Sequence, residues 1–223
     1  MTEYDEYLRT VERDANEEEI PLAYQPGFEL FHNEYNAAIS EISTKLEILA
    51  SDFEVRHDYS PIHHIVKRLK TAKSIEGKLK RLGLEVSIHN ASENIFDIAG
   101  IRVICNFIDD VYQIEKMLLS QSDIELNTRK DYIANPKPNG YRSLHLGVYV
   151  PVFLLDSCLK VPVEIQLRTV AMDFWASLEH QLRYKQNNEH KISEGINYEL
   201  KACAEMSAEL DQRMQKIFEE VRK

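Results

Sequence analysis

Between Lys130 and Thr169 the chain reads KDYIANPKPNGYRSLHLGVYVPVFLLDSCLKVPVEIQLRT, and this stretch gathers side chains able to do chemistry. In the run Leu159–Thr169, Glu164, Gln166 and Arg168 alternate with Val163, Ile165 and Leu167, so on a strand the two sets occupy opposite faces. Tyr141, Ser143 and His145 alternate in the same way in Tyr141–Val150. One meaning of such rows is the solvated side of a half-buried sheet. The loop held by Pro136, Pro138 and Gly140 adds another. Lys130, Lys137, Arg142, His145 and Arg168 set cationic and hydrogen-bonding groups around one carboxylate and one aromatic ring, Tyr141. That mixture suits an anionic ligand with a flat ring, such as a nucleotide, because guanidinium and ammonium groups hold phosphates while rings stack.

A second cationic group lies upstream, where seven basic residues between Lys67 and Arg81 face one acid, Glu76. Arg68 and Lys70 share a face of a strand over Ile62–Lys70. Lys78 and Arg81 share a face of a short helix that Ser74 caps and Gly83 ends. Two such rows, where they converge, grip a polyphosphate. The plainer meanings are a solvated face or an RNA patch, and no aromatic side chain interleaves the run for bases to stack on, so RNA binding finds no support. Asp97 stands at the mouth of the next strand, in Asp97-Ile-Ala-Gly100-Ile-Arg102. An acid there either closes the turn or holds a divalent cation, since Mg²⁺ carried by substrate phosphates asks one or two carboxylates of the protein.

His57–Asp58 spells the pair typical of metal phosphohydrolases, but such a site draws ligands from several helices and the acidic arm before it offers only His32. Adjacent strand residues point to opposite faces, so His63 and His64 are expected apart.

The elements that must position these residues follow from periodicity. Tyr4, Leu8 and Val11 sit at helical spacing before Pro21 and Pro26. Phe28, Phe31, Tyr35, Ile39, Ile42, Leu46, Leu49 and Phe53 make the apolar stripe of a long helix. A helix from Asp110 to Ser120, a strand over Ile124–Tyr132 and a helix over Thr169–Lys185 complete an α/β (α+β) chain with a mixed five-stranded sheet. Ile196, Leu200, Cys203, Met206, Leu210, Met214, Ile217 and Val221 mark a terminal helix expected both to pack on the N-terminal helix and to form a subunit interface. Three segments result: a helical arm at 1–57, a catalytic domain at 58–187 and an oligomerisation helix at 188–223.

At 223 residues, with 43% hydrophobic and 29% charged side chains, the composition is globular. No apolar run reaches the roughly 20 residues a membrane span needs, and three cysteines without ligand spacing imply a reduced, cytoplasmic protein. The net charge of −10 is uneven: four basic and fourteen acidic side chains in 1–57, seventeen and fifteen in 58–185, six and eight in 186–223. The cationic surplus lies in the middle, where an anion would bind.

Arg68-Leu-Lys70 with Ser74 and Lys78, then DIAGIR, KDYIANPKPNGYRSLH and EIQLRT, in that order, resemble the synthetase domain of the (p)ppGpp alarmone enzymes, and most closely the small alarmone synthetases of the RelP type. The resemblance covers about residues 62–186. It implies a nucleotidyltransferase-like sheet and transfer of pyrophosphate from ATP to the 3′-hydroxyl of GDP or GTP, releasing AMP, in the bacterial stringent response. It makes Glu164 the base and, with Asp97, the holder of Mg²⁺. It sets Lys70, Ser74, Lys78 and Arg81 at the ATP phosphates and Arg68 and Arg102 on either side of adenine. It stacks guanine on Tyr141, with Lys130, Lys137, Arg142 and His145 near the acceptor phosphates, Asn139, Gln166 and Arg168 about the acceptor, and Asp173 at the guanine edge. It also implies a homotetramer. His64-Ile65-Val66-Lys67 stands where the product-activated branch carries Phe-x-Thr-Gly, so product activation is not carried over.

Two rivals remain open at this point. A nucleotidyltransferase would pair Glu164 with a second carboxylate at position 166, where Gln166 stands. A non-catalytic nucleotide- or RNA-binding module would leave Glu164 and Asp97 repelling the ligand's phosphates.

Overall fold

Alternation in the longest strands decides the architecture of this computed structural model, which describes residues 20–186 and 193–222. Ile62–Leu69 (β1), Ala99–Cys105 (β2), Glu125–Asp131 (β3), Leu144–Phe153 (β4) and Cys158–Thr169 (β5) form one sheet in the order β1-β2-β5-β4-β3. Only β2 and β5 run parallel, so the sheet is mixed, as the pattern of strands and helices implies. On β5, Val161, Val163, Ile165 and Leu167 are buried, as are Leu144, Leu146, Val148 and Val150 on β4. Burying each such side chain is worth about 1.5–3 kcal/mol. This apolar face fixes which residues the other face offers.

The helices are Phe28–His57 (α1), Ala72–Arg81 (α2), Ile88–Asn94 (α3), Ile108–Leu119 (α4), Val170–Gln186 (α5) and Glu194–Val221 (α6). α1 buries Phe31, Tyr35, Ile39, Ile42, Leu46 and Phe53 from the expected stripe. The spacing at Tyr4, Leu8 and Val11 lies outside the described residues. Contacts divide the described residues into two compact units: 20–31 with Thr71–Ile95, and His32–Lys70 with those from Phe96 onward.

In the smaller unit, α2 buries Ile75 and Leu79, and Glu76 accepts the Leu22 N–H at 2.7 Å. Its cap is Thr71, not Ser74. The Thr71 hydroxyl accepts the Ser74 N–H at 3.3 Å, which makes Ser74 the third helical residue, one turn later than expected. Gly83, at φ +69°, ends the helix as read.

In the larger unit, three expectations are corrected. His63 and His64 are not apart: the register slips between Ile62 and His64, and this bulge brings their Nδ1 atoms to 2.7 Å. β4 starts at Leu144 rather than Tyr141, because the turn before it takes up the backbone groups: the Gly140 N–H bonds Lys137 O at 2.8 Å and the Tyr141 N–H bonds Asn139 Oδ1 at 3.2 Å. Ser143 is therefore buried on the Leu167 carbonyl at 3.1 Å and leaves the row of Tyr141 and His145. α6 turns inward a face of Ala204, Asp211 and Gln215, while Met206, Leu210, Met214, Ile217 and Val221 stay 46–80% exposed. Polar bonds hold it there: Thr169 Oγ1 donates to Asp211 at 2.5 Å and Gln215 Nε2 to Asp109 at 2.9 Å. The expected packing of this stripe on the N-terminal helix is therefore corrected to a stripe left largely open to solvent.

Candidate active site

Cross-strand register assembles the site within the larger unit. Arg102 of β2, Gln166 of β5, His145 of β4 and Lys130 of β3 are successive partners, and partners point to the same side of a sheet. Two residues back along β5, Glu164 has a glycine on each flank, Gly100 and Gly147. Its carboxylate therefore stands in a hollow of the sheet. A methyl group at Gly100 would meet only the Arg68 carbonyl, at 3.5 Å; at Gly147 it would come within 2.5 Å of Thr128 Oγ1.

Glu164, Asp97, Arg68, Lys70, Arg102 and Gln166 line one cleft. Gln166 Nε2 donates to Glu164 at 2.8 Å, and His145 Nδ1 lies 3.7 Å from the other carboxylate oxygen. The close approach of His145, with the Gln166 amide beside it, holds the Glu164 carboxyl below the usual carboxylate range, against burial and against the negative charge of Asp97. Glu164 is thus ionised at neutral pH, as an acceptor of protons must be. Across the cleft, Lys70 Nζ donates to Asp97 at 2.5 Å and the Lys70 N–H holds the Ile98 carbonyl at 2.9 Å, which fixes the turn from which Asp97 projects.

A chain of bonds runs from Glu164 to the loop. The Tyr141 hydroxyl is 2.8 Å from His145 Nε2 and accepts from Arg168 Nη2 at 2.7 Å. A carboxylate only accepts, so the consistent arrangement puts the His145 proton on Nδ1 and has the Tyr141 O–H donate to Nε2. Arg168 also donates to Gln166 Oε1 at 2.9 Å and to Asp173 at 3.1 Å, and Asp173 forms an ion pair with Arg102, Oδ1 to Nη1, at 3.1 Å. Tyr132 closes the aromatic group: its ring meets Tyr141 at 6.1 Å and His145 at 5.3 Å, and Lys137 Nζ lies 4.6 Å and 5.0 Å from the Tyr132 and Tyr141 ring centres.

Several nominated residues have partners or an element of their own. Arg142 donates to the carbonyls of Gly140 and Ala204, at 3.1 and 3.4 Å, and so ties the loop to α6. Asn139 holds the turn and reaches Glu179 at 3.2 Å. Arg168 is 5% exposed, which leaves a nucleotide almost nothing to touch. Ser74, Lys78 and Arg81 belong to α2 in the smaller unit. Tyr132 and Gly147 were missed. Tyr132 lay in a quoted motif, where a second ring beside Tyr141 was signal enough; Gly147 showed only as a glycine within a strand, the mark of a close approach.

A family described as a region found in RelA / SpoT proteins matches residues 67–189. GTP pyrophosphokinase YwaC of Bacillus subtilis is 44% identical over 187 residues, which cover 84% of this chain and 88% of that protein. The chain belongs to the RelA/SpoT family. Among solved structures, small alarmone synthetase 2 of Bacillus subtilis superposes with a TM-score of 0.77 at 42% identity, covering 85% of this chain and 97% of the other. Small alarmone synthetase 1 of the same organism, bound to its product pppGpp, gives 0.79 at 36%, covering 89% and 100%. The family region takes in every residue nominated for the site and leaves α1 and α6 outside it.

The donor set also bears on a metal. Two carboxylates on one cleft offer the hard oxygens that Mg²⁺ takes when substrate phosphates complete its shell. Among the described residues no group of three or more His, Cys, Asp and Glu gathers as a softer metal would require.

Proposed function

We propose that this chain transfers the β,γ-pyrophosphate of ATP to the 3′-hydroxyl of GDP or GTP. In that step the 3′-oxygen bonds to the β-phosphorus, the bond from that phosphorus to the α,β-bridging oxygen breaks, AMP leaves, and the hydroxyl proton passes to Glu164. The observation that carries the reading is the setting of Glu164: a carboxylate bonded by Gln166 in a glycine-flanked hollow that shares its cleft with Asp97 and three cationic side chains. Lys70, Arg68 and Arg102 face the donor, Lys70 meeting phosphate charge and the guanidinium planes the base. Tyr141 offers the ring for guanine, and Lys137 and Lys130 the charge for the acceptor phosphates. Mg²⁺, held by Asp97 and Glu164, would neutralise phosphate charge.

We extend the reading to assembly and place. The exposed stripe Met206–Leu210–Met214–Ile217–Val221 supports a homo-oligomer, with a homotetramer implied by resemblance. A cytoplasmic place goes with the resemblance; no helix among the described residues is long and apolar enough to cross a membrane. The test is incubation with ATP, GDP and Mg²⁺. AMP with guanosine tetraphosphate is expected; release of free pyrophosphate would overturn the reading in favour of nucleotidyl transfer.

A further inference from the structure

The side chains joining the two halves of the cleft are not fully satisfied. Asp173 Oδ1 accepts from Arg168 Nη1 at 3.1 Å and lies in an ion pair 3.1 Å from Arg102 Nη1, so two guanidinium groups share one carboxylate oxygen. The Nε of each arginine is buried without a hydrogen-bond partner, and these are the side-chain atoms so placed among the described residues. An unmet buried donor on a charged group is costly, and such sites persist where something other than stability holds them. Burial, and then the charge of Arg168, push the Arg102 pKa down, the mark of a cation less compensated than it would be in water. Arg168 meanwhile holds Tyr141, Gln166 and Asp173 at once.

We propose that Asp173 is a strut shared by both nucleotides: one carboxylate oxygen fixes the plane of Arg102 for the donor base, while the other receives the N1–H and N2–H of the acceptor guanine. Arg168 is the positioning residue that holds the strut and Tyr141 in register. The inference rests on the pyrophosphate-transfer reading, which sets adenine at Arg102 and guanine at Tyr141. Its consequence is positive coupling. An acceptor that orders Asp173 orders Arg102 with it, so the donor then binds a plane already fixed, and linkage makes the effect mutual. The sign is diagnostic, because two polyphosphates in one cleft repel each other by charge alone.

The experiment is calorimetric titration of α,β-methylene-ATP with Mg²⁺ into the protein, with and without saturating GDP, alongside a turnover assay. Wild type is expected to bind the analogue about 5-fold or more tightly when GDP is present, within the usual range of coupling between sites. In Asp173→Ala that ratio is expected to fall to about one, and Asp173→Asn, which preserves shape if the alanine variant misfolds, should lose most of it. Arg168→Lys should raise KM for GDP with kcat nearly kept, a split that loss of fold alone would not produce. A ratio of one or less in wild type, or an unchanged ratio in both Asp173 variants, overturns the strut while leaving pyrophosphate transfer standing if product still forms. Absence of product from wild type removes both.

Discussion

Two polar clusters in the larger unit use the same residue types to opposite ends. In the cleft, Glu164, His145, Tyr141, Arg168 and Asp173 are joined in series, glycines flank the carboxylate, two arginine donors go unmet and the central acid is held below its usual range. At the end of α6, Asp110 accepts from the Tyr59 hydroxyl at 3.0 Å and the Phe107 N–H at 3.1 Å, Arg222 lies 4.2 Å above the Tyr59 ring, and Phe218 stacks on Phe107 at 4.1 Å. There rings fill the space, and burial raises the acid. The difference separates work from support. A cluster kept open, charged and partly unmet is ready for a ligand, whereas a closed and satisfied one holds an element in place.

The sharpest way to break this contrast is at the two acids. Glu164→Gln keeps shape and the Gln166 contact but cannot take a proton, so kcat should fall by about 10³-fold or more while nucleotide binding and melting temperature stay near wild type. Turnover within a few-fold of wild type would show that Glu164 is not the base. A subtler probe is Gly100→Ala. The added methyl meets only the Arg68 carbonyl at ordinary contact distance, so the fold should tolerate it, yet it intrudes on the hollow beside Glu164. We expect kcat/KM to drop about 10- to 100-fold with the melting temperature moved by no more than a degree or two. A large loss of stability would mean that the hollow is packing, not a site.

Phe218→Ala reverses the pattern. It removes a ring stacked on Phe107 and edge-on to Tyr59, and should cost about 2 kcal/mol of stability, less than a fully buried phenylalanine. Activity per folded molecule should change by less than about 2-fold, measured at a temperature where the variant stays folded. A fall in kcat as large as that of Gly100→Ala would mean that the clasp serves the chemistry.

Much of the working cluster was legible because strand alternation is a strict code. Glu164, Gln166 and Arg168 share a face in the sequence and bond to one another in the fold. What the code could not show arose where the period breaks. The bulge at His63 reverses a facing rule, and the turn at Gly140 removes Ser143 from its row. Thr71 outcompetes Ser74 because a cap needs extended backbone, which composition does not display. The docked face of α6 was hidden for another reason: it is polar, and periodicity finds only the apolar side. Cross-strand neighbours such as Gly147 depend on register, so no local pattern announces them.

The clasp makes the smallest prediction, and it concerns pH. Burial is the leading cause that pushes the Asp110 carboxyl up to about 6, with the bonds from Tyr59 and Phe107 opposing it. A carboxyl raised on folding favours the protonated form in the native state. Its contribution is complete below the ordinary aspartate value and is lost as pH rises through about 6. Asp110→Asn cannot ionise and still accepts from Tyr59. Melting curves taken from pH 4 to pH 7 should therefore show the wild type losing stability relative to the variant across that interval, by a few degrees at most. A constant difference between the two would mean that Asp110 is already ionised at the low end, and that the closed cluster carries a buried charge as the open one does.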